Sequence, residues 1–138
     1  MKILCVLATI IAVVIVPMTA QAQDQLQFRV NIPFEFVAGG VHMGAGNYLA
    51  FHVTPMILNF VREDGKGSAW VKVIPSPVAT NDGTNQIVFT KYGDTYFLSK
   101  VHTGHDHQMH DCLRCPEEKN LMAWNSGKPT KIVLPVLN

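Results

Sequence analysis

The chain has 138 residues, of which 48% are hydrophobic and 15% charged, with 11 basic and 10 acidic side chains. So balanced a charge excludes electrostatic recruitment to nucleic acid or to an anionic membrane surface as the basis of function. The length is that of one domain able to bury its own hydrophobic core.

The N-terminal 22 residues have the pattern of a secretory signal peptide. Lys2 supplies a positive charge, residues 3–16 form an apolar run, and an Ala-Gln-Ala cleavage pattern ends at Ala22. The run is about 14 residues long and therefore shorter than the roughly 20 that span a membrane. We expect cleavage after Ala22, which predicts a secreted or periplasmic protein with no membrane span and a single domain over residues 23–138.

The rest of the chain alternates apolar and polar residues with the period of two that is typical of half-buried strands. In one segment, for example, Tyr48, Ala50 and His52 share a face. Turn signals such as Asp64-Gly65 separate the segments, and Pro75 with Pro77 is expected to end the fifth of them. The alternation predicts strands at 26–32, 34–37, 47–53, 56–62, 68–74, 86–92, 95–101 and 130–136.

One helix is predicted, over residues 116–124. Pro116 occupies a first-turn position, and Glu117 and Glu118 follow near the positive end of the helix dipole. Seven or eight short strands with one short helix near the C-terminus indicate an all-β fold, either an antiparallel sandwich or a small barrel. The large aromatic residues are predicted to lie in the core: Trp70, Tyr92, Tyr96, Phe97 and Trp124.

Three segments resemble a group of small secreted bacterial proteins. They are the IPFEFVAGG run that ends at Gly40, the AGNY run that ends at Tyr48, and residues 88–99, which contain YGDTYFLS. The resemblance covers most of residues 28–124 and implies an exported β domain, since the shared motifs are turn glycines and strand aromatics. The chain departs from the pattern at Gly44, where the group has proline, and in the richness of residues 101–115 in histidine and cysteine.

That rich segment holds the candidate metal ligands. Imidazole and thiolate are the ligands that zinc and copper prefer, and the Cys-x-x-Cys spacing lets two thiolates reach one ion. Two imidazoles with two thiolates would complete a tetrahedral zinc set, whereas Met109 with the histidines would suit Cu(I). The predicted ligands are His102, His105, His107, His110, Cys112 and Cys115.

Two other interpretations of the segment stay open. In the first, Cys112 and Cys115 form a disulfide that pins a polar loop, and the protein is a structural or interaction protein of the cell envelope. In the second, the pair exchanges disulfides, which proximity to a helix N-terminus would favour. His42 and His52 stand alone in sequence and are interpreted as ordinary surface or half-buried histidines.

No pattern in the sequence indicates an enzyme. The chain has no nucleophile elbow, no phosphate-binding loop and no HExxH. Glu35 and Asp94 are isolated carboxylates without a neighbouring partner in the sequence. We therefore expect a small exported binding domain, with zinc or copper as its possible cofactor and an envelope protein as the alternative partner.

Overall fold

The computed structural model describes residues 27–77, 84–103, 108–125 and 127–137, so the predicted signal peptide lies outside the described residues. The chain forms mostly strands, with one short helix near its C-terminus, as the sequence predicted. The elements are β1 (Gln27–Ile32), β2 (Phe36–Ala38), β3 (Val41–Met43), β4 (Gly46–Thr54), β5 (Ile57–Arg62), β6 (Ser68–Pro77), β7 (Gln86–Tyr92), β8 (Thr95–Thr103), β9 (Gln108–Cys112), α1 (Pro116–Trp124) and β10 (Thr130–Pro135).

The ten strands belong to one continuous hydrogen-bonded sheet that is not closed into a barrel. The main path runs β1-β4-β5-β6-β9-β8-β2-β3, and β7 joins β8 to β10. Every ladder is antiparallel except the contact between β2 and β8, where Val37 pairs with Phe97 in parallel. Of the two predicted architectures, the small barrel is therefore not the one observed.

The strand β6 links the two halves of the sheet because it changes partner along its length. Residues 68–72 pair with β5, and residues 73–77 pair with β9. The prediction that Pro75 and Pro77 end this strand is wrong. Val73 donates its backbone N–H to Met56 O, on the side of β6 that faces β5. The backbone nitrogens of residues 75 and 77 point to this same side, but β5 pairs with β6 only as far as Lys72. Proline is tolerated there because no strand of the described ranges needs its missing donor.

One hydrophobic core lies between the inner faces of the two halves. The first half contributes Tyr48 and Phe60, and the second contributes Phe89, all fully buried. Phe36 bridges the halves, with its ring edge-on to Tyr48 at 5.2 Å and to Phe89 at 5.4 Å between centroids. Edge-to-face aromatic pairs of this kind contribute about 0.5–1.5 kcal/mol beyond the area that they bury.

The helix α1 covers a second, smaller cluster on the outer face of the sheet. Val37, Tyr92 and Phe97 form this cluster, and Cys115 and Leu121 pack against it. The prediction of core positions is therefore confirmed for Tyr92 and Phe97. It is wrong for Trp70 and Trp124, which are 57% and 86% exposed, because Trp70 takes the outward position of its alternating strand and Trp124 ends the helix.

The β2–β3 turn brings this outer cluster close to β6. Gly39 has φ +57°, and a Cβ at this position would lie 2.2 Å from the carbonyl oxygen of Trp70. Glycine is required here both by the left-handed conformation and by the approach of the two backbones. On the following strand, His42 Nε2 lies 2.9 Å from Glu117 Oε2, which ties β3 to the first turn of α1.

Candidate functional site

Much of the His/Cys-rich segment is a strand rather than the loop that the sequence suggested. The strand β9 lies between β6 and β8, with His110 opposite both Pro75 and Val101. Its side chains alternate, so that His110 points to the core and Asp111 points outward, where its carboxylate lies 3.3 Å from Lys100 Nζ. The polar composition of residues 108–112 hides this alternation from a hydrophobicity pattern.

His102 is held by the backbone at the far end of β8. Its side chain is buried, and Nδ1 lies 2.6 Å from the carbonyl oxygen of Thr84. A carbonyl accepts but does not donate, so Nδ1 of His102 is the donor in this bond. This hydrogen bond fixes the orientation of the His102 ring.

His110 instead meets a histidine that the sequence analysis treated as isolated. The His52 and His110 rings lie 4.6 Å apart between centroids, at an angle of 55°. His52 continues the inward face of β4 after Tyr48 and Ala50, and His110 lies on the inward face of β9. Both ring nitrogens of His52 and Nδ1 of His110 are buried. We call these two side chains the histidine pair.

The alternation of β4 was a signal for half of this pair, since it placed His52 on the face of Tyr48 and Ala50. The other half could not be found in the same way. β4 and β9 are separated by β5 and β6 in the sheet, and they face each other only because the two halves fold together. Periodicity shows which face a side chain takes but not which distant strand lies opposite.

The two cysteines pack against different clusters. Cys112 packs against the main core, whereas Cys115 occupies the N-cap position of α1 and packs against the outer cluster of Val37, Tyr92 and Phe97. Both are free thiols. Burial is the largest influence on Cys112 and raises the pKa of its thiol, with the nearby Asp111 and Glu118 carboxylates acting in the same direction. The raised pKa disfavours a reactive thiolate at Cys112.

Within the described residues, the predicted ligands are not gathered into one metal site. His105 and His107 lie outside the described residues, so that half of the proposed imidazoles cannot be placed. Among residues 27–77, 84–103, 108–125 and 127–137, no three histidine, cysteine or acidic side chains are grouped as a metal site requires. Of the predicted ligands, His110 is the one that lies against another imidazole in those ranges, that of His52.

Comparison with protein-family models, with curated proteins and with solved structures finds no match to this chain. The resemblance to small secreted bacterial proteins therefore stays a prediction, and the functional interpretation rests on the residues and their geometry. In the described part of the chain, no helix has the length and apolar character needed to cross a membrane.

Proposed function

We propose that this protein is an exported binding domain that holds a transition metal ion, zinc or copper, at the histidine pair. The observation that supports the proposal is the approach of His52 and His110, whose rings lie 4.6 Å apart inside the fold. Imidazole nitrogen is a good ligand for both metals. Two rings that share one ion at about 2.0–2.1 Å from each nitrogen have centroids roughly 5 Å apart, which is close to the observed separation.

The strands that carry the two imidazoles supply the rigidity that a site needs. His52 pairs with Leu58 of β5 next to the last β1–β4 pair, and His110 is paired on both sides, with β6 and β8. Ligands on such elements lose little conformational freedom when they bind an ion. Two imidazoles are half of a tetrahedral set, and the remaining ligands are water or side chains from elsewhere in the chain.

This proposal changes the ligand set predicted from the sequence. It keeps His110, adds His52, and leaves out Cys112 and Cys115, because the two thiols pack against separate clusters. It also leaves out His102, because the contact given for its ring is with the Thr84 carbonyl rather than with the histidine pair. Thiol–disulfide exchange loses support as well, since burial raises the pKa of Cys112 and disfavours the nucleophilic thiolate.

Native mass spectrometry with and without Zn²⁺ or Cu⁺ tests the proposal, on untagged protein produced from the full coding sequence. We expect one ion per chain, lost in His52→Ala and in His110→Asn. His42→Ala is the matched control, because His42 is an exposed histidine paired with Glu117. A His105→Ala/His107→Ala variant then shows whether the remaining ligands come from those positions.

Three results would contradict a site at the histidine pair: no stoichiometric ion, an ion retained by both His52 and His110 variants, or equal loss in the His42 control. Circular dichroism of each variant separates loss of the ligand from loss of the fold. The Asn substitution keeps a polar side chain at the buried position 110, so that at least one variant is expected to fold.

A second candidate function is that of a structural or interaction protein of the cell envelope. Its support is the exposed apolar surface, which includes Trp70, Ile74 and Trp124; such side chains are enriched where proteins bind each other. In this version Cys112 and Cys115 are predicted to form a disulfide in the oxidising compartment. A thiol count on denatured, unreduced protein distinguishes the two: two thiols favour the metal proposal, and none favours the bridged loop.

A further inference from the structure

A groove lies on the outer face of the sheet, beside α1 and opposite to the histidine pair. Strands β7 to β10 form its floor, and the helix with the segment before it forms a wall. Its volume is about 660 Å³, within the range of roughly 300–1,000 Å³ that is typical of small-molecule sites. We call it the α1 groove.

Cationic side chains outnumber carboxylates in the lining of the α1 groove. It is lined by four cationic side chains, Lys100, Arg114, Lys119 and Lys131, and by the two carboxylates Asp111 and Glu118. Both carboxylates already have a cation near them. Asp111 lies 3.3 Å from Lys100, and Glu118 lies 3.8 Å from Arg114.

Two lysines are therefore left over. Within the described residues, Lys119 on the helix and Lys131 on β10 form no ion pair, although both line the groove. A ligand with a negative group would supply the partner that the described residues do not. A cationic ligand would have to compete for carboxylates that are already paired.

A β-bulge shapes the floor for hydrogen bonding. The register between β7 and β8 shifts after Val88, which pairs with Lys100 while Phe89 pairs with Leu98. The consecutive side chains of Ser99 and Lys100 consequently both line the groove, as a bulge allows and a regular strand does not. Ser99 is hydrogen-bonded to Thr90, and whichever hydroxyl accepts in this bond keeps its own proton to donate to a ligand.

The groove also contains apolar surface. Val88 lies on the floor and Leu113 at the wall, and the lysine stems add methylene groups beneath their charges. A bare inorganic ion would leave this surface uncovered. A ligand with an apolar body and a terminal anionic group would contact both kinds of surface.

We propose that the α1 groove binds a small organic anion, a carboxylate or phosphate monoester that carries an apolar body. The anionic group lies between Lys119 and Lys131, with the Thr90–Ser99 hydroxyls as further donors, and the apolar body covers Val88 and Leu113. This site is separate from the histidine pair, since it uses the opposite face of the sheet. The two proposals consequently stand or fail independently.

The test is to titrate each probe into EDTA-treated protein and to record ¹H–¹⁵N correlation spectra at each step. EDTA removes metal ions, so metal at the histidine pair plays no part. The probes are hexanoate, phenyl phosphate, inorganic phosphate and, with the charge reversed, hexylammonium. We expect saturable shifts at groove amides with hexanoate or phenyl phosphate. Whichever binds more tightly identifies the carboxylate or the phosphate as the preferred group.

Variants show whether the two lysines supply the recognition. Lys119→Gln/Lys131→Gln should weaken binding roughly tenfold, as expected for two partly exposed ion pairs. Lys66→Gln should leave it unchanged, because Lys66 lies in the β5–β6 turn and does not line the groove. The same spectra report whether each variant is folded.

Four outcomes would overturn the proposal. These are no saturable shift with either organic anion at millimolar concentration, an equal response to hexylammonium, an equal effect of the Lys66 control, or binding of inorganic phosphate as tight as that of phenyl phosphate. The last would show that the apolar surface contributes nothing and that the lysines attract any anion.

Discussion

Neighbouring residues of β9 serve opposite faces of the same sheet. His110 points inward to His52 among buried side chains, whereas Asp111 points outward to Lys100 at the floor of the α1 groove. The inner site consists of imidazoles that are held by packing, and the outer site consists of charges that water partly screens. The inner site is therefore built into the stability of the fold, whereas the outer one can be altered with little cost to the fold.

The largest effect on stability is expected at the turn that supports the outer face. Gly39→Ala should lower the free energy of unfolding by at least about 2 kcal/mol, because a left-handed residue costs about 1–2 kcal/mol and its Cβ would also meet the Trp70 carbonyl. Gly65→Ala is the matched control. Gly65 has φ +75° with no atom within 4 Å of a built Cβ, so only the cost of about 1 kcal/mol applies.

Urea denaturation of the two glycine variants measures the difference. If Gly39→Ala cost no more than Gly65→Ala, the close approach of the β2–β3 turn to β6 would not be a constraint on the fold.

Replacing the inner histidine is expected to have the next largest effect. His110→Ala should reduce stability by about 1–3 kcal/mol, since it removes a fully packed side chain from the sheet interior. His42→Ala, on an exposed ring, should cost less than about 1 kcal/mol. Thermal unfolding with and without Zn²⁺ adds a second readout: the ion should raise the Tm of the wild type and of the His42 variant but not that of His110→Ala. Equal losses of stability in the two variants would remove the contrast between inner and outer histidines.

Much of the fold follows from local pattern, as the correct strand and helix positions show. Period-two alternation and the Asp64-Gly65 turn are local properties, so β4, β5, β7 and β8 are found within a few residues. What depends on partners could not be predicted. β9 is a central strand despite its polar residues. β6 continues through Pro75, which is tolerated because β5 does not extend alongside this part of β6. The histidine pair joins strands that are distant in sequence.

A smaller, pH-dependent effect is expected at Glu118, on the outer side. Burial raises the pKa of this carboxyl above its ordinary value of 4.5, and Arg114 opposes the increase. The native state thus binds the proton more tightly than the unfolded chain does. The contribution to stability is fully present below the ordinary value and is lost as the pH rises through the raised native pKa.

Glu118→Gln tests that sign, because glutamine does not ionise. The variant should gain stability relative to the wild type as the pH is raised from below 4.5 to neutrality. In the otherwise wild-type protein, Arg114→Gln should increase the loss of stability with rising pH, because it removes the charge that opposes the increase in the Glu118 pKa. Chemical denaturation across this pH range provides the measurement, and a difference that does not change with pH would show that Glu118 is as well solvated as an exposed carboxylate.

The smallest effect on stability is expected for the unpaired lysines of the groove. Lys119→Gln and Lys131→Gln should each change the free energy of unfolding by no more than about 0.5 kcal/mol, because both side chains are exposed and lack an ion pair within the described chain. A larger loss of stability would mean that these charges support the fold. The outer site would then contribute to stability as the inner site does. Thermal melts at low and high salt measure the effect.

The proline residues of β6 have a consequence for solubility. Where β6 extends past the end of β5, one side of the strand pairs with no strand in the described part of the chain, and an unpaired strand edge is a template on which another chain can add. Pro75 and Pro77 remove the two N–H groups that such a chain would need on that side. The two prolines thereby disfavour edge-to-edge aggregation, while the other side of β6 pairs with β9.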